Sequence, residues 1–267
     1  MKLEKWQALG NHFLLCEHDS LPWTLTPERV RLLCDPAVGL GADGVLDVGL
    51  GGAVDVAVTV HNADGSIAEV SGNGTRIAVA YAAGKLGLTE LSVLAATSGQ
   101  ANVLKDGRVS VTLGRATLEG TQEDRTQADP GIAYRFVGIG NPHCVIDVDN
   151  PASFALETEG PRLEQHPRFP ERTNVEAVSV LDRNRVRMRV WERGVGETRA
   201  CGSGACAVAV AAVVDGRCDS PVTVEMPGGS VEVAVTNDLS ITLIGSAQRV
   251  YSATLDAALL ARLEAAT

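Results

Sequence analysis

The chain has 267 residues, 45% of them apolar and only 4% aromatic, which suits one large globular domain or two modest ones with cores of Val, Ala and Leu. A formal net charge of −10 argues against a nucleic-acid backbone or an anionic membrane as the main partner. There is no basic-plus-apolar leader and no apolar run near about 18 residues, so the expected location is the cytoplasm. There the six cysteines, at 16, 34, 144, 201, 206 and 218, are expected as buried thiols rather than disulfides, and with no C-x-x-C pair no zinc or other metal site is expected.

In chain order, the first helix signal is TPERVRLLC at 26–34, with Thr26 as N-cap and Pro27 at the first helical position. Gly39 to Gly44 then fits the pattern G-x-G-x-x-G. A dinucleotide loop needs a strand before it and a helix after it; here the order is reversed, which dismisses that reading. Val54 to Val60 alternates as a half-buried strand. SGNG at 71–74 opens a helix, TRIAVAYAAGK, expected to close at Gly84, and Asp106-Gly107 turns a hairpin. The polar stretch EGTQEDRTQADPG at 119–131 reads as a linker. Beyond it come the alternating strand RVRMRVW at 185–191 and the loop CGSG at 201–204, which opens the helix ACAVAVAAVVDG ending at Gly216. Asn237-Asp238 turns a second hairpin, and LDAALLARLEAA at 255–266 is an amphipathic helix.

SGNG and CGSG are one phrase written twice, 130 positions apart, and their contexts match. Asn62 precedes Ser71 by nine residues and Glu192 precedes Cys201 by nine; a strand and polar turn lie upstream of each copy, a hairpin downstream. Both helices are so rich in Ala and Val that they lack a polar face, so each is expected inside a sheet. The repeat implies two similar domains. A small-residue loop that opens a helix presents backbone N–H groups backed by the positive end of the helix dipole, a place that binds an anion or lowers a thiol pKa. Two such loops would hold one carboxylate and put an acid–base group on each side of the adjacent carbon, the arrangement that inverts a stereocentre.

NADGSIAEVSGNGTR (62–76), GNPHC (140–144), ERTN (171–174), ERGVGETRACGSGA (192–205) and ALGNHF (8–13) resemble, in order, the signature segments of diaminopimelate epimerases. The resemblance implies an α+β fold of two pseudo-symmetric domains, each a β-barrel-like, mostly antiparallel sheet wrapped around a central helix, with the active site in the cleft between them. The expected division is 1–115 plus 252–267 with the Ser71 half-site, and 116–251 with the Cys201 half-site. It implies inversion of one α-carbon of LL-2,6-diaminopimelate to the meso isomer, for lysine and cell-wall synthesis, without cofactor or metal, by a protein whose partner is that small molecule and whose assembly is open, a homodimer included. Cys201 and Ser71 fall at the catalytic pair, and His143 and Glu192 at the pair supporting proton transfer. Asn11, Asn62, Asn141, Asn174, Glu192 and Arg193 fall at groups gripping the distal amino-acid end. Gly72, Asn73, Gly202 and Ser203 fall at helix-start groups holding the reacting carboxylate.

Three positions depart from the family pattern: Ser71 replaces a thiol, His12 stands where Asp is usual, and Gly44 lacks the side chain that some relatives bring to the substrate. A hydroxyl is a far weaker acid than a thiol, so Ser71 leaves three readings: a Ser–His relay through His143, a weak or inactive enzyme, or a site for another amino acid. A cysteine hydrolase built on Cys201 and a non-catalytic amino-acid-binding protein remain as rival classes. A pyridoxal enzyme does not fit, because none of the four lysines (Lys2, Lys5, Lys85, Lys105) sits in a motif.

Overall fold

The computed structural model describes residues 1–96, 98–119 and 133–266. The linker expected at 119–131 lies outside the described residues from Gly120 onward. The chain divides into two compact units, Met1–Val111 with Ser246–Thr267, and Thr112–Gly245. No helix among the described residues is long and apolar enough to cross a membrane.

The first unit contains β1 (Lys2–Ala8), β2 (Asn11–Glu17), α1 (Pro27–Cys34), β3 (Gly44–Leu50), β4 (Val56–Asn62), α2 (Gly72–Leu86), β5 (Glu90–Leu94), β6 (Ser98–Val103) and the start of β7 (Val109–Arg115). From the chain's other end it takes β17 (Gln248–Thr254) and α5 (Ala257–Ala265). Its sheet runs β17-β1-β2-β3-β4-β5-β6-β7, antiparallel at every step except β2/β3 and β4/β5. A parallel step needs a crossover, and the helices supply both: α1 spans the first and α2 the second.

The second unit repeats this plan. It contains β8 (Thr117–Glu119), β9 (Tyr134–Gly138), β10 (Pro142–Asp147), α3 (Leu156–Glu164), β11 (Asn174–Asp182), β12 (Arg185–Glu192), β13 (Gly196–Thr198), α4 (Gly202–Val214), β14 (Val222–Met226), β15 (Gly229–Val235) and β16 (Ser240–Gly245). Its sheet runs β8-β9-β10-β11-β12-β14-β15-β16, again antiparallel except for the two steps, β10/β11 and β12/β14, that α3 and α4 cross. The registers coincide: Leu14↔Val45↔His61 in one unit corresponds to Cys144↔Val175↔Trp191 in the other, each pair of equivalents 130 positions apart.

α2 and α4 are the cores of their units. Every residue from Gly202 to Ala212 is buried, as is most of α2 from Gly72 to Ala83. Val is a mediocre helix former, so these segments are helical because sheet encloses them, each buried Val contributing about 1.5–3 kcal/mol. α2 packs on β1 to β6, and α4 on β9 to β12 and β14 to β16. The alternating strands behave as their pattern requires, with Val186, Met188 and Val190 of β12 inward and Arg185 and Arg187 outward.

Several boundaries shift from the sequence expectation. α2 runs past Gly84 to Leu86, because Gly87 takes the left-handed conformation (φ 70°) and donates its N–H to Ala83 O at 2.9 Å. The strand expected at 54–60 is Val56–Asn62, and the last helix begins at Ala257, where Asp256 caps the Leu259 N–H at 2.9 Å. Thr26 caps α1 through the Arg29 N–H, and both expected hairpins form. The stretch 39–44 links α1 to β3, in keeping with the dismissal of a dinucleotide loop.

Gly44 acquires a steric reason. A Cβ at this first residue of β3 would overlap the His61 carbonyl oxygen and stand 2.9 Å from the Phe13 ring. Gly44→Ala should therefore lose about 1–3 kcal/mol of stability through overpacking. Equilibrium urea unfolding measures this, and a variant as stable as the parent would contradict it.

Candidate active site

Ser71 and Cys201 hold the same place in the two units. Each is the N-cap of a central helix in extended backbone, at φ −139°, ψ 99° and φ −123°, ψ 119°. Each side chain accepts the N–H three residues on: Gly74 N to Ser71 Oγ at 3.1 Å, and Gly204 N to Cys201 Sγ at 3.4 Å. Gly74 and Gly204 are small for a reason, since a Cβ would stand 3.0 Å from Ser71 Oγ in one case and 3.4 Å from Cys201 Sγ in the other. Gly72, Asn73, Gly202 and Ser203 form the first turns, all buried, where backbone N–H groups have no acceptor within the helix.

The sulfur corrects one expectation. Burial pushes the Cys201 thiol well above its ordinary value, and the nearby Glu192 carboxyl and, less strongly, Glu176 add to the shift. The Ser203 hydroxyl, 3.5 Å from the sulfur, and the Gly204 N–H oppose it. A helix terminus carries about half an elementary charge, which does not outweigh desolvation and two acidic neighbours around a cysteine that is 5% exposed. The resting side chain is a neutral thiol.

In the second unit the expected residues are tied into hydrogen-bond networks. His143, on β10, is fully buried; its Nδ1 lies 2.6 Å from Glu176 Oε1 on β11 and its Nε2 2.9 Å from Asn141 Oδ1. A relay from Ser71 through His143 would require one of these bonds to open. Asn174, at the start of β11, donates to Pro142 O at 2.9 Å and accepts the Arg193 N–H at 3.0 Å, and Arg193 Nη1 reaches Glu171 O at 3.0 Å. Glu192 ends β12 and accepts from the Thr198 hydroxyl; burial raises its carboxyl, while Thr198 and Cys201 pull it down.

In the first unit Asn11 opens β2, and its Nδ2 donates to Asp43 Oδ2 at 2.8 Å. Asn73 Nδ2 reaches Asn11 Oδ1 at 3.3 Å, and the fully buried Arg76 holds Asn73 Oδ1 at 2.7 Å. Asn62, ending β4, donates to Ser66 Oγ at 2.9 Å within the polar turn. Ser71 is half-buried.

Sequence reasoning overlooked several residues of these networks. Asp43 lies inside the glycine pattern and was hidden by it. Glu164 on α3 is buried, and it accepts from Gly194 N and Trp191 Nε1, both at 2.7 Å, which fixes the turn carrying Arg193. Glu176 is the one charged residue in the buried first half of β11, NVEAV; that break in an apolar run was the available signal.

A family model for diaminopimelate epimerase matches residues 5–119 and 135–250. The diaminopimelate epimerase of Synechocystis sp. is 39% identical over 272 residues, covering 94% of this chain and 98% of that protein. That of Ectopseudomonas mendocina is 37% identical over 268 residues, covering 94% and 97%. Among solved structures, a Bacillus anthracis phenazine biosynthesis protein of the PhzF family superposes with a TM-score of 0.72 at 17% identity, covering 96% of this chain and 99% of that one. A probable proline racemase from Agrobacterium radiobacter gives 0.70 at 14% identity, covering 96% and 93%. These structural likenesses concern the fold: two-domain α+β with helix-centred sheets.

The neutral state of Cys201 has a direct readout. Peptide-resolved iodoacetamide alkylation of the native, ligand-free protein should be slow at neutral pH and rise steadily into the alkaline range. Rapid modification of Cys201 at pH 7 would contradict a raised thiol pKa.

Proposed function

Because the chain belongs to the diaminopimelate epimerase family, we propose that it inverts the α-carbon of LL-2,6-diaminopimelate to give the meso isomer, in the cytoplasm and without a cofactor. What supports the reading is the pair of matched helix N-termini, each capped by a side chain able to carry a proton.

The first-turn N–H groups at Gly72, Asn73, Gly202 and Ser203 hold the carboxylate beside the reacting carbon. As the α-proton leaves, negative charge moves into that carboxylate, where fixed N–H dipoles stabilise it without reorganising. Asn11, Asn62, Asn141, Asn174, Glu192 and Arg193 bind the distal ammonium and carboxylate, the Arg fork matching the carboxylate. Asp43, Arg76 and Glu164 hold these groups in place through the bonds described above.

Cys201 serves one face of the carbon and Ser71 the other. The neutral thiol suits proton delivery; once it has delivered, the thiolate is the base for the reverse reaction. Ser71 cannot become an alkoxide by dipole alone, so it needs a partner to take its proton, and His143 is the candidate for that role once one of its two bonds opens. Because the equilibrium constant is fixed, a handicap at Ser71 slows both directions alike.

The assay is interconversion of LL- and meso-diaminopimelate with α-proton exchange followed in D₂O. Exchange and inversion should appear together in the wild type. Ser71→Ala should cut inversion by about 10²–10⁴-fold, while Ser71→Cys, with the more acidic side chain, should raise kcat. Equal inversion by wild type and Ser71→Ala would remove Ser71 from the mechanism. No turnover of either isomer would remove the substrate assignment.

A further inference from the structure

At the end of β12 the chain folds two polar side chains onto each other. Val195 N donates to Glu192 O at 3.0 Å to close the turn, and β13 returns antiparallel with Val190↔Thr198, Trp191↔Glu197 and Glu192↔Gly196 in register. Alternate residues of a strand share a face, so Glu192 and Thr198 stand on the face that Val190 buries. Gly196, directly opposite Glu192, offers no side chain. The diagonal neighbour Thr198 makes the contact instead, its hydroxyl donating to Glu192 Oε1. On the other face Glu197 accepts Arg189 Nε and Nη2, both at 2.7 Å, a two-pronged clamp that pins β13 to β12.

The first unit supplies an internal control. At the constant offset of 130 positions, Glu192 and Thr198 correspond to Asn62 and Ala68, and the pairing Trp191↔Glu197 corresponds to His61↔Ile67. There the neutral amide donates to Ser66 Oγ at 2.9 Å, and Ser66 holds the place of Gly196. The turn thus closes in the first unit with no hydroxyl at the Thr198 place. The hydroxyl accompanies the carboxylate and is not required by the turn.

An ionised carboxylate only accepts hydrogen bonds, so a fixed donor favours its charged form and sets its plane. Burial drives the Glu192 carboxyl up, and the Thr198 hydroxyl is the leading influence against it, ahead of the Cys201 thiol. His143 on β10 also pulls the carboxyl down, and Glu176 on β11 pushes it up. In return, the Glu192 charge pushes the Cys201 thiol up, so the states of the two groups are coupled.

We infer that Thr198 is a positioning residue, whose hydroxyl holds Glu192 as an oriented carboxylate beside the Cys201 cap. It acts only through Glu192. The Arg189–Glu197 clamp sets the distance at which it does so.

Its effect on turnover rests on the epimerase reading, whereas the carboxyl is titrated without substrate, so the two fail separately. The experiment is a ¹³C NMR titration of the full-length protein labelled at the glutamate carboxyls, with the Glu192 signal assigned by its loss in Glu192→Gln. Thr198→Val keeps the shape without the donor. Its Glu192 midpoint should lie at higher pH than in the wild type, and Thr198→Ser should bring it back. In the diaminopimelate assay Thr198→Val should lower kcat/KM about 10- to 100-fold, the worth of one hydrogen bond to a charged group. The carboxylate is the working form and is lost as pH falls through its pKa, so the acid limb of kcat/KM should move up with the midpoint. Thr198→Ser should recover both. An unchanged Glu192 midpoint in Thr198→Val overturns the proposal, as does a Ser variant that behaves like the Val one. Activity lost with an unshifted acid limb marks a merely structural role and overturns it too. If neither isomer turns over, the titration alone decides; if Thr198→Val does not fold, the same midpoint is read in Thr198→Ala.

Discussion

Everything in this protein hangs on a helix that cannot exist on its own. α2 and α4 are rich in Ala, Val and Gly, and enclosure by the strands of their sheets makes them the stable choice. Enclosure has a consequence at the helix start. The first-turn N–H groups still need acceptors, and burial of the turn limits what water can supply. The N-cap side chain therefore reaches back to the third N–H, and its identity sets the chemistry at that point. A structural requirement of the helix and a chemical group thus share one residue, Ser71 in one unit and Cys201 in the other.

The same enclosure explains why the thiol is neutral at rest. Helix dipoles are often invoked to make cysteines acidic, and on an exposed terminus they do so. Here the sulfur lies beside Glu192 and above Glu176, away from water, and both conditions favour the protonated form. A neutral thiol is a reasonable resting state for a group that must alternate between donor and acceptor. It also makes the surrounding charges matter, because whatever stabilises the thiolate when it forms must already be present in the protein.

Equal backbones with unequal fillings are a recurrent theme of the two units. Register, crossover helices and caps coincide at a constant offset, while the side chains at equivalent places diverge: Asn62 against Glu192, Gly44 against Asn174, Phe13 against His143, Leu46 against Glu176. Conserving the plan keeps two helix termini alike in their capacity to hold an anion.

Much of this was legible in the amino-acid order. The repeated phrase, its matched surroundings and the faceless helices gave two similar units, and the signature segments placed Asn11, Asn62, His143, Asn174, Glu192 and Arg193 near the glycine loops. These are local or periodic signals, written in neighbouring residues. Helix ends were less legible, because Gly84 and Gly87 compete for one role and only the positive φ of Gly87 settles it. The partners of the site residues were not legible at all. Asp43 beside Asn11, Glu164 beneath the Arg193 turn, and Glu176 against His143 are about 30 positions from those residues along the chain, and only the tertiary fold (strand register for Glu176, helix packing for Glu164) brings them together. Sequence by itself therefore determined which groups sit at the two helix starts. Tertiary structure decided their ionisation, since a pKa depends on burial and on neighbours from other strands, and no stretch of sequence contains those.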